Sequence, residues 1–102
     1  MSAPKEKDGH NMAQKITKKA FMEVLDLAIH LLDERITQNE LKQGEIDVKM
    51  AKRVNYLDKH DISLKEDKQY REYTDLWYLI YDEIRQDMEK IEHLKFVKRM
   101  SK

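Results

Sequence analysis

The run Leu76-Trp77-Tyr78-Leu79-Ile80-Tyr81 sets six large apolar or aromatic residues side by side in a chain of which 39% is charged. A helix bathed by solvent carries apolar residues on one stripe. A segment that is apolar on every side must therefore be enclosed by other elements or covered by a partner. Trp, Tyr and Ile also suit strands, so the flanks decide. Arg71 to Asp75 and Asp82 to Lys90 are good helix sequence without Gly or Pro, and the run reads as the middle of a helix.

Working towards the C-terminus, Tyr73, Trp77, Ile80, Ile84, Met88 and Ile91 form a stripe in three- and four-residue steps. Working back, Ser63-Leu64-Lys65-Glu66 matches a capping box with Ile62 in the staple position, which predicts a helix start at Leu64. A helix continuous from there to Arg99 would run about 36 residues and ~54 Å. A globule of this chain length is only roughly 30–35 Å across, with a radius of gyration near ~13 Å. The expectation is that the helix breaks between Glu89 and His93, or that its C-terminal third projects. In the second case it would pair with another copy along Ile84, Met88 and Ile91.

Further back, Phe21, Val24, Leu25, Ala28, Leu31 and Leu32 follow the spacing of a buried helical stripe, widened by Leu27 and Ile29, and predict a helix from about Met12 to Arg35. Thr37-Gln38-Asn39-Glu40 is a second capping box, with Ile36 and Leu41 as staple, and predicts a new start or a sharp bend. Gly44 weakens the next turns. A middle helix from Asp47 to about Leu57 or Lys59 carries Ile46, Met50, Val54 and Leu57 as its stripe, with Val48 and Ala51 beside it.

Composition supports an all-α fold. The 102 residues suit one domain, and two Gly and one Pro are too few for a turn-rich sheet protein. The predicted architecture is a small antiparallel bundle of three or four helices with a long C-terminal helix. Residues 1–11 should form a flexible tail, since they bury almost nothing, and residues 12–102 a single helical domain. Met12 is also a candidate native start. Absence of cysteine rules out disulfides and thiolate metal sites and fits the cytoplasm. No apolar run approaches the roughly 20 residues of a membrane span, and Met1 to His10 carries no signal-peptide core.

Charge is blocky, although the net is zero. Five Lys stand against two acids over 1–19, seven acids against two bases over 20–47, and four bases against one acid over 48–60. Ten acids then stand against five bases over 61–92, with four bases over 93–102. Antiparallel neighbours could pair such blocks, and the alternation dilutes any single field that would steer a polyanion. The composition, rich in Lys, Glu, Asp and Ile, has the look of small accessory proteins of AT-rich bacterial, plasmid or phage genomes.

No motif names a reaction. His30 stands four residues from both Asp26 and Glu34, His93 four from Glu89, and Asp58, His60 and Asp61 cluster in a predicted loop. None has the three or four converging ligands of a metal centre. Serine occurs at Ser2, Ser63 and Ser101 without a nucleophile context, and there is no Gly-rich phosphate loop. No catalytic, cofactor or metal residues are therefore assigned.

Tyr70, Tyr73, Trp77, Tyr78 and Tyr81 crowd twelve residues. They cover more of a helix than a small bundle can bury, and Tyr and Trp are enriched where partners bind. The preferred reading is a non-enzymatic interaction module, a small regulator or inhibitor that contacts a protein through Tyr73, Trp77, Tyr78, Tyr81, Ile84 and Met88, with a homodimer as one form. The alternative is a small DNA-binding regulator. There Gly44 would form the turn of a helix-turn-helix, and Lys49, Lys52, Arg53, Lys95, Lys98 and Arg99 would meet phosphate. Net charge does not favour that role.

Overall fold

A computed structural model describes residues 17–101. They form two long helices, α1 (Lys18–Lys59, 42 residues) and α2 (Lys68–Met100, 33 residues), joined by a 3₁₀ turn at Leu64–Glu66. Among the described residues there is no strand. The predicted tail and the stretch from Met12 to Ile16 lie outside this range. Thr17 caps α1: its hydroxyl oxygen accepts the Ala20 N–H at 3.0 Å.

The helices lie antiparallel. Side chains at Asp26, Arg35, Asn39 and Arg53 along α1 meet Lys98, Asp87 and Glu83 of α2 and its N-cap Asp67, in falling order. The seam obeys a seven-residue repeat. On α1 it runs Leu25, Ile29, Leu32, Ile36, Asn39, Gln43, Ile46, Met50, Arg53, Leu57. On α2 it runs Tyr70, Tyr73, Trp77, Ile80, Ile84, Asp87, Ile91, Leu94, all buried or half-buried. Alternating steps of three and four average 3.5 residues, which keeps one stripe facing the partner helix as the pair supercoils. Ile36, Ile46, Ile80, Ile84 and Ile91 form the buried cluster, with Trp77 and Tyr73 packed against it.

The described residues therefore build one hairpin of two helices, not a bundle of three or four. Thr37 lies inside α1, where its hydroxyl donates to the Asp33 carbonyl at 3.0 Å rather than capping anything. Gln38, Asn39, Glu40 and Leu41 all tolerate helix, so the capping-box pattern has no break to act on. Gly44 also lies within the helix, its cost of about 1 kcal/mol against Ala being offset by the seam on either side. Ser63 makes no side-chain cap. The start of α2 falls instead at Asp67, whose carboxylate accepts the Tyr70 N–H at 2.8 Å.

The turn is made by the end of α1. Ile62 N–H donates to the Leu57 carbonyl at 2.9 Å and Asp61 N–H to that of Asp58 at 3.3 Å, the paired bonds of a Schellman ending. Asp61 takes φ 55°, the left-handed conformation that ending demands. α2 runs unbroken through Glu89 to His93 and overshoots nothing, because α1 is longer still. The molecule measures 80 × 31 × 16 Å with a radius of gyration of 23.3 Å, a rod where a globule was expected.

Candidate functional site

α1 covers α2 from one side only, so the apolar run Leu76 to Tyr81 cannot be enclosed. Ile80 is buried in the seam and Trp77 half-buried beside it, while Leu76, Tyr78, Leu79 and Tyr81 face outward. Tyr78 is 58% and Leu79 62% exposed. Trp77 organises the band. Tyr81 stacks on it at 5.6 Å between centroids and 9° between planes, and Tyr78 meets it edge-on at 5.1 Å and 81°. Such pairs hold the rings in defined positions.

A cleft of about 300 Å³ opens beside the band, lined by Asp47, Met50, Tyr70, Thr74, Trp77 and Tyr78. The Trp77 indole N–H is buried and has no hydrogen-bond partner among the described residues. The neighbouring Trp77 carbonyl accepts from Gln43 Nε2 at 3.5 Å.

The structure divides the six residues assigned to partner binding. Tyr73, Trp77 and Ile84 turn into the seam, Tyr73 with its hydroxyl accepting from Gln69 Nε2 at 2.8 Å. Tyr78, Tyr81 and Met88 turn to solvent. A dimer seam of Ile84, Met88 and Ile91 is not available, because α1 covers Ile84 and Ile91 and Met88 lies off their line. The seam passes through Asp87 instead.

Asp87, with its side chain 2% exposed, is held by Arg35: Nε donates to Oδ2 at 2.7 Å and the second guanidinium nitrogen to Oδ1. Hydrogen bonds from Arg35 keep the Asp87 carboxyl below the usual carboxylate range against its burial, with the Arg35 and Lys90 charges assisting. Asp67 repeats the device at the hairpin tip. Arg53 donates to its two oxygens at 3.0 and 2.6 Å, and that bond, with the Tyr70 N–H, lowers its pKa.

The six bases of the nucleic-acid reading fall into two groups near opposite ends of the rod, ~40 Å apart at ~1.5 Å per residue. Arg53 is engaged by Asp67 and lies 4.8 Å over the Tyr56 ring, and Lys98 is engaged by Asp26. Lys49, Lys52, Lys95 and Arg99 are exposed. The acidic and basic blocks pair only locally, since the middle portions of both helices are acidic. α1 runs through Gly44 without a turn, so the helix-turn-helix placement does not occur.

His30 meets Glu34 at 2.9 Å on the surface, while Asp26 goes to Lys98. The His60 ring packs on Tyr56 at 4.4 Å. Among the described residues no three His, Asp or Glu side chains converge on a point that could hold a metal ion, and no helix is long and apolar enough to cross a membrane.

α1 carries exposed apolar residues that the spacing had placed in a buried stripe. Leu25 is buried and Ala28, Ile29 and Leu32 half-buried, but Phe21, Val24, Leu27 and Leu31 are exposed, as are Leu41 and Val48. A single neighbouring helix cannot cover so broad a face. Compared with known protein families, curated proteins and solved structures, the chain matches none.

Proposed function

We propose that this chain is a cytoplasmic, non-enzymatic interaction module, a small regulator or inhibitor that offers an aromatic face of a coiled-coil hairpin to a protein partner. The observation that supports this most is the band of Leu76, Tyr78, Leu79 and Tyr81 standing outside the seam around a half-buried Trp77. Rings held by stacking lose little freedom on binding, and interfaces draw most of their energy from a few such anchors.

The test is affinity capture from the native cell lysate, with and without nuclease, comparing the wild-type chain with the Tyr78→Ala/Leu79→Ala variant. Both residues are exposed, so the melting temperature should hold. A protein that the wild type retains after nuclease treatment and the variant loses is the expected result. Equal capture by both chains would sink the aromatic-face reading. Capture that vanishes with nuclease would favour the DNA-binding alternative.

A further inference from the structure

On the side of α1 facing away from α2, Val24, Leu27, Leu31, Leu41 and Val48 are each between 54% and 66% exposed. With Glu34, Gln38 and Glu45 filling the gaps, they step along the helix by three and four residues, the rule of the seam on its opposite side. A helix with two such seams is built to lie between two helices. Among the described residues only one of them is present.

We infer that this outer face of α1 docks on the same face of a second copy, antiparallel, across a two-fold axis at the level of Ile36. The spacing is symmetric about that point. Val24 then lies over the second copy's Val48, Leu31 over its Leu41, Glu34 over its Gln38, and Leu27 beside its Glu45. The isologous contact repeats each layer on the other side of the axis.

Charge selects the orientation. Parallel copies would set Glu34 against Glu34 and Glu45 against Glu45, and like charges directly opposite are repelled. The antiparallel arrangement removes both clashes and gives Glu34 a hydrogen-bond donor in Gln38.

Gly44 supplies a second, independent reason. It lies inside an unbroken 42-residue helix, yet a Cβ at this position would meet nothing within 4 Å. The hairpin's own packing does not require glycine, whereas a close neighbour would. Gly44 borders the strip between Leu41 and Val48, and in the antiparallel docking the second copy's His30 lies on the same flank, level with Lys42 and ~3 Å along the axis from Gly44. Glu34 of that same copy holds the ring at 2.9 Å. The dimer brings four helices together with the two α1 helices inside, and leaves the aromatic band of α2 outside, so this contact is separate from the proposed partner site.

The strip offers fewer residues than the roughly 20–30 a side of a standard interface, so the copies should associate reversibly. Sedimentation of the full chain from about 1 µM to about 1 mM should show monomer passing to dimer. Leu31→Glu, at an exposed position, should keep its helical circular dichroism and raise the dissociation constant by about 100-fold or more. The absence of cysteine makes register testable: Leu31→Cys and Leu41→Cys chains, mixed and oxidised, should give the mixed disulfide in preference to either like pair. Gly44→Ala should weaken the dimer, and Tyr78→Ala should leave it unchanged. Monomer mass throughout would overturn the inference, as would a dimer indifferent to Leu31→Glu or a dominant Leu31→Cys homodisulfide.

Discussion

Asp87 occupies a position where the seven-residue repeat asks for an apolar side chain, and its burial is tolerable only because Arg35 reaches across from α1 to hold both oxygens. The sequence hides this: with a charged residue on the seam, the neighbouring Met88 looks like the next step of the stripe. Because the folded pKa of Asp87 lies below the unfolded value, its ion pair stabilises the fold above the ordinary carboxylate pKa of ~4. That contribution is lost as pH falls from there through the depressed folded value. Asp67 acts in the same direction. We predict that acid unfolding monitored by circular dichroism is less steep in Asp87→Asn, whose melting temperature at neutral pH is lower than that of the wild type. Removing one partner strands the other, whereas Arg35→Met with Asp87→Leu replaces the pair by apolar packing and should restore the melting temperature or raise it. A double variant less stable than Asp87→Asn would contradict this account.

Two threonine- or serine-led capping patterns look alike in the sequence, and neither starts an α-helix. Thr37 has helix-tolerant residues on both sides and a seam that continues past it through Ile36 and Asn39. Ser63 opens only a single 3₁₀ turn, and Asp67 four residues later provides the cap that counts. Capping patterns are local, and packing along 42 residues outweighs them. The end of α1 at Lys59, by contrast, was legible, since Asp58 to Asp61 disfavour helix and Asp61 accepts the left-handed turn. Thr37→Ala should therefore change stability by no more than about 0.5 kcal/mol, as at an ordinary surface position. Thr17→Ala should cost on the order of 1 kcal/mol through the lost cap. Asp61→Gly should add up to about 1 kcal/mol by relieving the positive φ. Urea titrations of the three variants rank them, and a Thr37 effect larger than that of Thr17 would mean that α1 is divided at Thr37 after all.

At the scale of the whole molecule, helix content and antiparallel order followed from composition and periodicity, but the shape did not. Comparing a ~54 Å helix with a globule's diameter presupposes a globule, and the mismatch actually signalled a rod. The clue lay in the seven-residue repeat of α1, obscured by Asn39, Gln43 and Arg53 at seam positions. A rod of two helices has no deep interior, so its stability rests largely on the one contiguous cluster of buried side chains, Ile36, Ile46, Ile80, Ile84 and Ile91, with Leu57 covered separately at the tip. Ile84→Ala removes packing from that cluster and should cost roughly 2–5 kcal/mol, a large share of what a small domain possesses. Contacts in a rod are made mainly with the level immediately opposite, so the damage should be graded along it. Hydrogen exchange should show protection lost first around Ile36 and Ile84, with the capped end at Asp67 retained longer because Arg53 and Tyr70 still hold it. Loss of protection at Tyr70 to Tyr73 equal to that at Ile84, under conditions where the variant remains mostly folded, would show that the hairpin unfolds as one cooperative unit and that the tip has no stability of its own.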